Sequence, residues 1–255
     1  MESFYLFAVF VFGLAIGSFM NVVIYRLPRG ENLAFPPSHC TDCGESLKWY
    51  HNVPLFSWLL LRGRCAFCKS SISPRYPLIE LLNALLWSVI YIKVGAGLEF
   101  LFIALSFSAL LVLSAIDFEY YAVPDSVNFF ALASALAALG AKAYESGEWE
   151  ILLSGAQAAA IAAGGLWLLA KSIGIITQKE AMGGADVIVA ATMAALLGLS
   201  HFLVAIFLSA ILAIVPSIAA KDTMVPFVPF LALATLITYI YDDRAQALLN
   251  WIMYG

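Results

Sequence analysis

The sequence predicts an all-α polytopic membrane protein with about eight transmembrane helices and one small cytoplasmic zinc-binding loop domain. Three observations carry that expectation. The 255 residues are 63% hydrophobic and 12% charged, with a mean hydropathy of +0.92, far from the balance of a soluble domain. Apolar runs of the roughly 20 residues needed to cross a bilayer recur along the whole chain. All four cysteines fall inside the one sizeable polar stretch.

The first run, Phe4 to Tyr25, opens behind Glu2 rather than behind Lys or Arg. It therefore reads as a retained span and not a cleaved signal, with no separate targeting segment before it. Residues 26–76 form the polar loop, rich in proline, cysteine and basic residues. A loop of about 50 residues is too small for a generous core, so a metal staple would help it fold. Further spans are expected near 77–94, 98–116, 126–143, 150–172, 186–199, 201–219 and 225–241. Only Leu199, Ser200 and His201 separate the pair between 186 and 219, so seven spans is the alternative count. The Ala- and Leu-rich segment 131–143 predicts close helix packing through small residues. The organisation expected is a first helix over 1–25, a cytoplasmic tetracysteine domain over 26–76 and a transmembrane core over 77–255.

Lysine and arginine fix the expected orientation, because cytoplasmic loops retain positive charge. With the N-terminus outside, Arg26, Arg29, Lys48, Arg62, Arg64, Lys69, Arg75, Lys171, Lys179 and Lys221 share the cytoplasmic side, and Lys93, Lys142 and Arg244 lie opposite. Both termini are then periplasmic. A net charge of -4, with the basic residues gathered in one loop, excludes nucleic acid as a partner and leaves the lipid bilayer.

Cys40-Thr-Asp-Cys43 and Cys65-Ala-Phe-Cys68 are two CxxC knuckles separated by 21 residues, close to the spacing of a four-thiolate zinc site. Each knuckle supplies two sulfurs from one turn, and tetrahedral Zn2+ needs two such turns. With every position filled by protein the ion is structural. Two disulfides are the competing arrangement, disfavoured in the reducing cytoplasm. His39 and His51 are spare donors beside the four thiols.

Asp117 ends the apolar run Phe100 to Ile116. The dipole of its own helix disfavours a carboxylate at that C-terminus. An ionisable group that helps no local structure at the end of a membrane helix is a functional candidate; the competing reading is a charge solvated at the interface. Asp125 follows Pro124 and directly precedes a helix, where capping is the expected role. Asp186 follows Met182-Gly183-Gly184-Ala185 and opens the next apolar run. It too can be a cap, but the glycine pair gives the backbone freedom to bend and admit an extended chain. Two carboxylates brought together share one proton, so one can act as base on water while the other polarises a carbonyl. No Gly-x-Ser-x-Gly, no His-Glu-x-x-His and no cysteine outside the loop offers a rival catalyst.

Gly17-Ser18-Phe19-Met20-Asn21 running on to Arg26-Leu27-Pro28, the CxxC pair, Leu61-Arg62-Gly63-Arg64-Cys65, Ile72-Ser73-Pro74-Arg75-Tyr76-Pro77 with Glu80, and Asp117 with Pro124-Asp125 resemble the type IV prepilin peptidases. The resemblance covers most of the chain. It implies a bifunctional enzyme of the bacterial inner membrane that removes the short basic leader of type IV prepilins and pseudopilins at the cytoplasmic face. It would then N-methylate the new terminus with S-adenosylmethionine. Asp117 and Asp186 match the family's catalytic aspartates, which makes the transmembrane part an aspartyl peptidase core. Three positions depart from the pattern. Ala185 stands for the second glycine of Gly-x-Gly-Asp, Ile188 for the usual lysine, and Val228 for a common glycine. Glu31 and Glu80 are candidates for the methyl-transfer side, Glu80 also for pairing with Arg75 or Arg62. The alternatives are a peptidase without methyltransferase activity and, in a different class, a proton- or cation-coupled transporter or scaffold.

Overall fold

A computed structural model describes residues 2–178, 183–219 and 225–254. Lys179, Met182 and Lys221, which enter the charge count and the glycine motif above, lie outside the described residues. The chain forms two compact units, Met1–Gly95 and Ala96–Gly255.

In the first unit α1 (Glu2–Arg26) packs along α3 (Arg75–Val94). Two glycines one turn apart permit the contact. A Cβ added to Gly13 would lie 2.8 Å from Ala84 Cα, and one added to Gly17 would lie 2.7 Å from Glu80 Cα. Backbones that close allow amide side chains to bond across the helices, an arrangement suited to an apolar solvent. Asn83 Nδ2 donates to the Gly13 carbonyl at 2.8 Å, and Asn21 Nδ2 to the Tyr76 carbonyl at 3.0 Å. The helix 75–94, which the sequence reading groups with the core, thus pairs with the first span.

The polar loop between them carries one short α-helix, α2 (Phe56–Leu60), and two single 3-10 turns. Buried Arg26 fastens its start, donating to the carbonyls of Asn32, Leu33 and Pro36 at 2.9, 3.2 and 2.6 Å. Its middle is fastened at Leu55, where φ is 60° and ψ is -52°. Phe56 N–H donates to the Pro54 carbonyl at 2.7 Å, completing the rare positive-φ form of the γ-turn. Such a conformation costs about 1–3 kcal/mol and needs an external hold. Glu80 supplies it by accepting the Leu55 N–H at 2.8 Å.

The second unit comprises α4 (Leu98–Tyr120), α5 (Asp125–Ser146), α6 (Glu150–Thr177), α7 (Gly184–Ala219), α8 (Val228–Ile240) and α9 (Asp242–Tyr254). The small residues of 131–143 pack as their composition predicts. Ala135 joins Ala159, Ala191 and Ala195 in a buried cluster where α5, α6 and α7 meet. Ser106 Oγ donates to the Ala131 carbonyl at 2.9 Å, tying α4 to α5. The last short helix of the core, α8, packs on α4 and α7.

Eight spans are not confirmed. Among the described residues, six helices are long and apolar enough to cross a membrane, and α8 is shorter. The difference lies in 184–219, which continues as one helix interrupted at Gly198 (φ 73°, ψ 164°), one residue before the expected separation. A glycine with positive φ bends the helix without a polar loop to mark the place. A straight helix would carry Ala219 about 50 Å from Asp186, whereas the stretch on to Val228 reaches only about 32 Å. The bend at Gly198 shortens that return.

Candidate active site and metal centre

The four thiols of the polar loop converge. The Sγ atoms of Cys40, Cys43, Cys65 and Cys68 all lie within 4.8 Å of one another, and all four cysteines are free. Cys40 and Cys68 are 3.8 Å apart, the edge of roughly 3.8 Å expected for a tetrahedron with 2.3 Å Zn–S bonds. The two knuckles follow one backbone plan. Cys40 N–H donates to the Glu45 carbonyl and Gly44 N–H returns to Cys40, while Cys65 N–H donates to Ser70 and Lys69 N–H returns to Cys65. Gly44 and Lys69, at the same place in each, share a positive φ of 72° and 64°.

The electrostatics suit a cation. The Cys43 backbone N–H lowers the Cys40 thiol to about 6, and the Ser70 hydroxyl lowers Cys68. Cys43 behaves oppositely: although the Glu45 N–H favours its thiolate, lost hydration and its bonds to the Cys68 and Cys40 sulfurs push it up to about 12. One thiolate therefore suppresses the next until a divalent ion neutralises them. The histidines stand apart from the four-sulfur set: His39 Nδ1 sits 3.0 Å from the Pro37 carbonyl, and the His51 ring packs between Tyr50 and Phe67.

Asp117 lies in the last turn of α4 and is 7% exposed. The dipole that opposes it there is offset by another helix. Its Oδ2 accepts the Val228 N–H at 3.1 Å, and the Phe227 N–H also reaches the carboxylate. The positive end of α8 thus holds the anion that the negative end of α4 disfavours. Val228 serves through its backbone, and its φ is not positive, so a side chain at this position strains nothing.

Asp186 occupies the first turn of α7, half-buried, with its N–H on the Gly183 carbonyl at 3.2 Å. Its carboxylate interacts electrostatically with that of Asp117. The two candidates, 69 positions apart in sequence, thus lie within electrostatic reach of each other, one at the end of α4 and one at the start of α7, with α8 packed on both helices. Gly184 opens α7 and Ala185 is helical. The capping role expected of Asp125 is corrected. That residue is the exposed first residue of α5, which has no side-chain cap, because the helix begins one residue earlier than a capping aspartate requires.

One residue escaped the sequence reading. Asn128, fully buried on α5, donates from Nδ2 to the Ala185 carbonyl at 2.9 Å. A lone amide within the apolar run that follows Val127 was the available signal. Of the candidates for methyl transfer, Glu31 is exposed, and buried Glu80 holds Leu55 and accepts a hydrogen bond from Ser18.

Residues 11–94 match the Bacterial Peptidase A24 N-terminal domain, and residues 104–218 match the Type IV leader peptidase family. The prepilin leader peptidase/N-methyltransferase of Pseudomonas putida is 32% identical over 93% of this chain and 91% of its own length. The protein of the same name from Neisseria gonorrhoeae is 32% identical over 94% and 92%, and that of Klebsiella pneumoniae 37% over 74% and 83%. No solved structure matches. The chain is a multi-pass inner-membrane protein, and it belongs to the type IV leader peptidase family.

Proposed function

We propose that this protein removes the short basic leader of type IV prepilins and pseudopilins and then N-methylates the terminus it has exposed. What supports the peptidase reading is that Asp117, at the end of α4, and Asp186, in the first turn of α7, lie near enough for their carboxylates to interact electrostatically, with α8 packed on both helices. Asp117, which accepts backbone N–H bonds, is assigned the base that takes a proton from water. Asp186 carries the shared proton and gives it to the scissile carbonyl oxygen. Water adds to the carbonyl carbon, the tetrahedral species collapses, and the C–N bond breaks as the nitrogen takes a proton. The products are a leader ending in a carboxylate and a pilin with a free amine.

That amine is the acceptor in the second reaction. S-adenosylmethionine is the co-substrate that the relatives' N-methyltransferase names imply, supplying an electrophilic sulfonium methyl. Both termini are assigned to the periplasm and the carboxylates to the cytoplasmic face, where a basic leader is retained by the same charge rule. Cys40, Cys43, Cys65 and Cys68 are assigned one Zn2+, for which their sulfur spacing fits. With four protein ligands the ion staples the two knuckles of residues 26–76 together and takes no part in either reaction. Carboxylates gathered at helix ends, rather than midway along them, disfavour the transporter reading.

Incubation with a model prepilin and S-adenosylmethionine, followed by mass spectrometry of the pilin, tests the proposal. Loss of the leader mass plus gain of one methyl is expected. An intact prepilin contradicts the peptidase reading, and a cleaved but unmethylated pilin contradicts the bifunctional one.

A further inference from the structure

We infer that Asn128 is a positioning residue for Asp186, holding the start of α7 so that the Asp186 carboxylate faces Asp117. The inference rests on the aspartyl peptidase reading. Asn128 comes from α5, one turn in from its start, and reaches across to α7. Its partner, the Ala185 carbonyl, belongs to the residue immediately before Asp186. A carbonyl only accepts, so the NH2 of the amide is fixed toward it. Asp186 stands at the open end of α7, where the first turn lacks the full set of helical hydrogen bonds and frays most readily. Nothing else in the sequence of that turn stiffens it: Gly183 and Gly184 precede, and their backbones are the freest available.

Asparagine is a poor choice here for stability alone. It is fully buried, and its Oδ1 finds no partner among the described residues. An apolar side chain would bury without an orphaned acceptor. What the amide contributes is a fixed point from α5 onto the backbone at Asp186. Asp117 is fixed independently, by the backbone N–H groups at the start of α8. Each carboxylate is therefore tied by a different helix, and their alignment depends on both ties.

The test uses the purified full-length protein and two variants. Asn128→Leu keeps the branched skeleton, with more bulk, and removes the donor; Asn128→Ala removes it without adding bulk. Cleavage of a model prepilin is resolved into kcat and KM, and methylation is measured separately on a pilin whose leader has already been removed, alongside zinc content. The expected result is a fall in kcat on the order of 100-fold in both variants, the cost typical of a misplaced catalytic group. KM should stay within a few-fold, with methylation and zinc unchanged. Parent-like kcat in either variant overturns the inference. Parallel loss of cleavage, methylation and zinc in both also overturns it, since Asn128 would then serve the fold. If the parent protein itself leaves the prepilin intact, the underlying peptidase reading fails instead.

Discussion

Asp117 Oδ2 accepts the backbone N–H of Val228 across 111 positions of sequence, at 3.1 Å. The bond reconciles a carboxylate with the wrong end of its own helix, because α8 begins where α4 ends. It also gives Asp117 two separable roles, one in holding α8 and one in chemistry.

Those roles separate by substitution. Asp117→Asn keeps an oxygen for the Val228 N–H, so its thermal stability should match the parent while cleavage is lost. Asp117→Leu leaves that buried N–H without an acceptor and should lose about 1–3 kcal/mol. Denaturation of both variants in detergent checks the difference; equal stability would show that the bond carries no structural weight.

Restoring the family glycine at 185 should bring no gain. Ala185 already has helical backbone angles in the first turn of α7, so Ala185→Gly adds only freedom to the unfolded chain and should cost about 0.5–1 kcal/mol. Cleavage rates of the two proteins check this. A faster glycine variant would mean that the turn must open during the reaction.

The tetracysteine loop predicts an order of reactivity that exposure alone reverses. In zinc-stripped protein at pH 7, Cys40, lowered to about 6, should alkylate first, and the more exposed Cys43, pushed up to about 12, should alkylate last. Timed alkylation with peptide mapping reads the order directly. Reloading with one Zn2+ per chain should protect all four thiols, and uniform reactivity after reloading would remove the metal assignment.

Gly17 sets the distance between α1 and α3. With a hypothetical Cβ already 2.7 Å from Glu80 Cα, Gly17→Val should push the helices apart and destabilise the first unit by about 1–3 kcal/mol or more. The Asn21 to Tyr76 bond nearby should be lost with it. A parent-like melting temperature would contradict this account of the packing.

Legibility in the sequence followed the range of the forces involved. The metal loop is legible because two CxxC knuckles are local objects whose spacing nearly dictates their geometry. Asp117 stands out because a helix C-terminus repels it, a conflict visible from its neighbours alone. Its resolution is not visible, since Phe227 and Val228 contribute backbone N–H groups that any residue except proline would supply. Asn128 is nearly hidden for a related reason: its partner is a carbonyl. The break at Gly198 is legible to within a residue, because Ser200 and His201 interrupt the apolar pattern beside it; that the chain bends there within a continuing helix, with no loop, is not.

The central claim is that Asp117 and Asp186 act together on the scissile bond. Its most direct test is leader cleavage of a model prepilin by Asp117→Asn and Asp186→Asn, each with bound zinc and methylation of a leader-free pilin measured on the same preparation. Each substitution should lower cleavage by on the order of 1,000-fold or more and leave zinc and methylation at the parent level. Cleavage at the parent rate by either variant would contradict the account.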